Sequence, residues 1–115
     1  MSYVAEWARF FGLTLGVELA VAVPLLAGHG SVIRRTGAVL FGQLASHPLV
    51  WFVIPALGLG GARFLVAAET WAVLCELLLY RLVFPRLTWA GALAVSALAN
   101  GASVIAGIIA RSLST

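Results

Sequence analysis

Four long apolar stretches divide this chain, at about 10–28, 37–57, 64–84 and 87–110. The breaks between them are short and carry turn formers and arginines: 29–36, then Gly58-Leu59-Gly60-Gly61, then Pro85-Arg86. A membrane-spanning helix needs about 20 apolar residues. Lipid offers backbone amides no partners, so helix is the state such stretches predict. Short connections make successive helices antiparallel, in up-down-up-down order. The expected fold is therefore all-α: a single transmembrane domain over residues 1–115, with four transmembrane helices in a bundle. Tyr3 and Trp7 fall in a short leading tail and suit an interfacial belt. Arg9 and the apolar run ending at Leu26-Ala27-Gly28 also have the outline of a signal peptide; the segment is read here as a retained membrane helix. Pro24, Pro48 and Pro55 lie inside the stretches and predict kinks, since each removes a backbone hydrogen bond.

Each stretch carries a strongly polar residue near its midpoint: Glu18, His47, Glu76 and Asn100. At 100° per residue the polar positions of each helix share one face. Thr14 aligns with Glu18 and Phe11, Gln43 with His47, Glu69 with Glu76 and Tyr80, and Ser96 with Asn100 and Ser103. Lipid cannot satisfy such groups, so the stripes must face one another. Antiparallel threading then places Thr14, Glu69 and Ser103 toward the termini. Glu18, His47, Glu76 and Asn100 fall at the centre, and Gln43, Tyr80 and Ser96 toward the first loop. Nearly opposite Glu18, Gly12, Gly16 and Ala20 form a small-xxx-small stripe that suits close helix contact. It predicts a homodimer or docking onto a larger membrane complex.

Composition agrees with this picture. Hydrophobic residues make up 63% of the chain and charged residues 10%, with a mean hydropathy of +1.09. Soluble domains carry about 25% charged residues, so too few polar groups are present to coat a water-facing surface. The net charge of +3 comes from arginines scattered at segment ends, which excludes nucleic acid as a partner. Cys75 is the single cysteine, which excludes an internal disulfide. Arg34, Arg35, Arg81 and Arg86 fall at the end of the bundle holding the first and third loops, and Arg9, Arg63 and Arg111 at the end holding the termini. The positive-inside rule then puts the termini outside.

Chemistry concentrates on the midpoint residues. An ionisable group at mid-depth costs roughly 2.5–3.5 kcal/mol on insertion scales, and so marks a functional site by default. Glu18, His47 and Glu76 with Asn100 could pass protons or hold a small cation, and Thr14, Gln43, Glu69, Tyr80, Ser96 and Ser103 extend the polar path. The leading expectation is proton or small-cation transport, or a channel-like subunit. A second reading is an accessory or assembly protein whose polar core only fixes helix packing. A third is a divalent metal on Glu18, His47 and Glu76; no close-spaced metal motif, dinucleotide fingerprint, phosphate loop or haem motif is present, and no cofactor is predicted. No nucleophile stands beside a base, so an enzyme is the weaker expectation. The His-Pro pair in the second stretch, two glutamates in the third and Asn with flanking serines in the fourth resemble small bacterial-type four-helix membrane proteins. That likeness implies an inner (plasma) membrane.

Overall fold

The computed structural model describes residues 2–114 of the chain. They form α1 (Tyr3–Leu25), α2 (Val32–Phe52), a short 3₁₀ turn (Ile54–Leu57), α3 (Gly61–Val83) and α4 (Trp89–Ser114), with no strand among the described residues. The all-α, four-helix expectation holds. The long dimension of the molecule, 41 Å, is close to the about 40–45 Å of a bilayer with its headgroups.

Several helix ends differ from the expected 10–28, 37–57, 64–84 and 87–110, each for a local reason. The leading tail is helical because Ser2 accepts a hydrogen bond from the Ala5 amide and starts α1 at Tyr3. Aromatic contacts then hold that first turn in place: Tyr3 packs on Trp51 and Phe52, and its hydroxyl donates to the Trp51 carbonyl at 2.6 Å. Ser31 caps α2 in the same way, accepting from the Arg34 amide at 3.1 Å, so Arg34 and Arg35 are helical rather than loop residues. At its other end α2 stops at Phe52. Pro55 enters the 3₁₀ turn at its start, and Gly58 closes it in the left-handed region (φ 73°) that a side chain disfavours. Pro24 falls in the last turn of α1 and Pro48 in the body of α2. Thr88 caps α4 through its hydroxyl, which accepts from Gly91.

The helices form a ring in which α1 packs on α2 and α4, and α3 packs on α2 and α4, leaving α1 and α3 across the diagonal. At the end holding the first and third loops, arginines bind carbonyls that the helix ends leave free. Arg35 donates to the Val23 carbonyl at 2.6 Å, Arg34 to that of Val83, and Arg81 to those of Pro85 and Leu87. Arg81 also lies over the Trp89 ring at 4.8 Å. His29 is half-buried against Phe84, with its Nδ1 enclosed and without a hydrogen-bond partner among the described residues. Beneath these contacts Leu26, Val39, Phe84, Leu87 and Val95 close an apolar plug.

Three helices are long and apolar enough to cross a membrane: α1, α2 with its 3₁₀ extension (Val32–Leu57), and α4. The fourth, α3, has comparable length at 23 residues. It is set apart by charge, since every eighteen-residue stretch of it holds three of Arg63, Glu69, Glu76 and Arg81. Those charges sit where the bundle can receive them. Glu76 is wholly buried, Glu69 is half-buried, Arg81 meets carbonyls at one end and Arg63 is exposed at the other.

Candidate functional site

A polar cluster occupies the centre of the ring, and each helix contributes one principal side chain: Glu18 from α1, Gln43 from α2, Glu76 from α3 and Asn100 from α4. Their exposures are 0%, 1%, 0% and 4%. Gln43 Nε2 donates to Glu76 Oε1 at 2.5 Å, Asn100 Nδ2 donates to Glu76 Oε2, and Ser96 Oγ approaches the same oxygen at 3.3 Å. Ser96 and Asn100 are tied to the α-helical backbone as well, through the Val73 carbonyl at 3.0 Å and the Ser96 carbonyl at 2.8 Å. Gly42 makes room for this arrangement: a Cβ there would stand 3.0 Å from Glu76 Cγ.

Glu18 reaches the cluster across the diagonal, and its carboxyl lies near that of Glu76. Its own partners are sparse. Ser103 Oγ approaches Glu18 Oε1 at 3.5 Å while donating to the Asn100 carbonyl at 2.9 Å, and Glu18 Oε2 is buried with no partner. The two carboxyls are thus unequal. Glu76 has three donors, a set suited to an ionised carboxylate. Glu18 has an open oxygen beside it. Two carboxyl groups held near each other in a dry site repel when both are ionised, and a proton or cation between them relieves that repulsion.

A cavity of about 350 Å³ leads to this cluster from the end of the bundle that holds the termini. Gln43, Asn100 and Ser103 form its floor, Thr14 and Glu69 stand in its walls, and Arg111 is at its rim. The floor residues are the ones bonded to Glu76 and Glu18, so the carboxyls lie one side chain behind the cavity surface. On the far side the apolar plug closes the bundle. Tyr80, one turn beyond Glu76, is fully buried there, and its hydroxyl has no partner.

His47 stands apart from the group it was expected to join. It is half-buried in an aromatic nest, accepting at Nδ1 from Trp7 Nε1 at 3.0 Å, with Phe11 edge-on at 5.2 Å and Trp51 stacked at 6.3 Å. The reason is the start of α2: beginning at Val32 instead of residue 37, the helix has its middle at Gly42, not at His47. Gln43, expected nearer the first loop, therefore takes the place beside Glu76, and His47 moves one turn toward the termini. Ser96 likewise joins the central level instead of lying beyond it. With His47 displaced, Glu18, His47 and Glu76 make no joint ligand set, and no three His, Cys, Asp or Glu side chains among the described residues lie together as metal ligands.

Gly12, Gly16 and Ala20 lie exposed on the outer face of α1, with open space where a Cβ would stand at both glycines. Two contributors were missed from the sequence. Trp7 continues the Phe11, Thr14 and Glu18 stripe by one more turn, a signal the assumed non-helical tail concealed. Gly42 precedes Gln43 and carries no mark of its own. No protein family, curated protein or solved structure matches this chain.

Proposed function

We propose that this chain is a small membrane transport protein that takes up a proton or a small cation on the Glu18–Glu76 pair from the side where its termini lie. One observation carries the reading: two carboxyls from diagonal helices meet behind the floor of a one-sided cavity, one of them saturated with donors and the other with a buried free oxygen. A proton or cation would occupy that vacancy and neutralise the pair. The apolar plug behind it supports a carrier that binds from one side over an open channel, since no polar side chain of the cluster continues past Tyr80. In this reading α3 crosses the membrane with its partners, its charges sheltered by them. In this reading the membrane is a bacterial-type inner membrane with the termini outside, an orientation that the arginine distribution favours.

Purified protein in liposomes tests it: an imposed gradient should drive proton or monovalent-cation uptake in wild type. Glu18→Gln and Glu76→Gln should each abolish that uptake while the fold, read by circular dichroism, is retained. Uptake that survives both substitutions refutes the assignment. A second reading is favoured by the same donors: two helices bonded to a carboxylate carried by a third fix helix register, as an assembly subunit would need. The outward stripe of Gly12, Gly16 and Ala20 would then dock a second copy or a larger membrane partner. Wild-type protein that folds, self-associates and moves no ion would favour this second role.

A further inference from the structure

We propose that the cavity above the carboxyl pair is a binding site for an organic cation, an ammonium or guanidinium group on a small flat apolar body. The proposal deepens the uptake reading and rests on it only for the direction of access.

Three features of the cavity select that chemistry. First, one wall is aromatic. Phe10, His47 and Trp51 line it, with Trp51 in near-parallel array with both neighbours, 6.0 Å from Phe10 at 25° and 6.3 Å from His47 at 23°. Phe64 adds a ring from α3. Tryptophan and its relatives attract cations on their faces. Second, Glu69 stands in the cavity wall, half-buried, with no hydrogen bond or ion pair to any described residue. It lies about 12 Å of helix rise inside the end of α3, deep enough for an unpaired carboxylate to favour a bound counter-charge over bulk water. Third, the chain supplies its own example of the interaction: the Arg111 guanidinium at the rim lies over Phe10 at 4.7 Å. Arg111 is exposed, so its like charge acts on a ligand through water and weakens entry without barring it.

The volume suits the size class, since about 350 Å³ lies at the low end of the about 300–1,000 Å³ of small-molecule sites. The cation would sit between Glu69 and the ring faces, with the amide and hydroxyl floor beneath it. The Glu18–Glu76 pair lies beyond that floor and is left free to hold a proton of its own.

Benzyltrimethylammonium is a suitable probe because its charge is fixed at every pH and its ring matches the apolar walls. Binding to purified protein in uncharged bicelles is read by tryptophan fluorescence and calorimetry, with benzyl alcohol as the uncharged control. Saturable binding of the cation and no measurable binding of the alcohol are expected. Glu69→Gln should weaken the probe by about tenfold or more, and Trp51→Ala by about fivefold or more. Glu69→Asp and Trp51→Phe keep the charge and the ring, and should restore most of the affinity if the first variants fold poorly. Arg111→Gln should tighten binding. Equal binding by wild type and Glu69→Gln, equal binding of the alcohol, or no binding to folded protein at millimolar probe overturns the site. The two proposals separate cleanly. Glu76-dependent uptake without probe binding removes the organic-cation site and keeps the uptake reading, whereas Glu69-dependent probe binding without uptake of any ion does the reverse.

Discussion

Replacing Glu76 by glutamine should leave stability nearly unchanged whereas leucine should lower it, and the hydrogen bonds show why. The carboxylate accepts from Gln43 on one oxygen and from Asn100 and Ser96 on the other. A glutamine can keep its carbonyl toward Asn100 and Ser96. Its amide then faces Gln43, which can rotate its own amide by half a turn to present oxygen instead of nitrogen. The new N–H₂ also points a donor toward Glu18, whose Oε2 has none. The hydrogen-bond count is conserved, and the expected change is within about 1 kcal/mol. Leucine removes the acceptor altogether. Ser96 and Asn100 retain the Val73 and Ser96 carbonyls, so Gln43 alone is orphaned while two further bonds are lost. Bonds between side chains inside membrane proteins average about 0.6 kcal/mol, which sets a floor of roughly 2 kcal/mol for three. An unpaired buried amide adds about 1–3 kcal/mol, giving an expected loss of roughly 3–5 kcal/mol. Reversible unfolding in mixed micelles, followed by helicity, measures both variants against wild type. If Glu76→Leu is as stable as Glu76→Gln, the donors have found other partners and the cluster does not hold the helices in register.

Other substitutions probe the surrounding contacts. Gly42→Val should drive a methyl into Glu76 Cγ, already 3.0 Å from where a Cβ would stand, and cost about 1–3 kcal/mol in the same unfolding assay, where Gly37→Val should cost less. Trp7→Phe removes the indole donor to His47 Nδ1, so the imidazole ¹⁵N spectrum, expected in wild type to show Nδ1 bonded and Nε2 carrying the proton, should lose the Nδ1 signature; an unchanged spectrum would remove Trp7 from the site. Gly16→Leu meets no neighbour within 4 Å, so monomer stability should be unaffected while crosslinking between copies through α1 falls. Unchanged crosslinking would exclude this face as the contact between copies.

The helix count and the inward polar stripes were legible because an apolar run of spanning length leaves the chain few alternatives. Glu18, Glu76 and Asn100 could be found the same way, each being the one strongly polar group in a greasy surrounding. His47 was misplaced for a specific reason. Arg34 and Arg35 read as loop residues by their charge, yet their guanidiniums extend to carbonyls at Val83 and Val23, which lets the backbone beneath them be helical. That adds five residues to the front of α2 and shifts its middle to Gly42 and Gln43. The same long side chains hide the true end of a helix wherever they can fold back onto backbone oxygen. The aromatic nest at the other end was hidden differently: Tyr3 and Trp7 gain their meaning from Trp51 and His47, which lie 48 and 40 positions away.

The arginine contacts at the loop end have a mechanical consequence. Guanidinium-to-carbonyl ties at Val23, Val83 and Leu87 bind three helix ends together there, while at the opposite end stacked rings and the Arg9–Ser114 contact do the holding. Rings slide past one another at small cost, and an exposed side-chain bond is weak, so bending of the bundle is expected where the cavity opens. The molecule is built like tweezers, fixed at the base and compliant at the tips, with the paired glutamates seated between the arms.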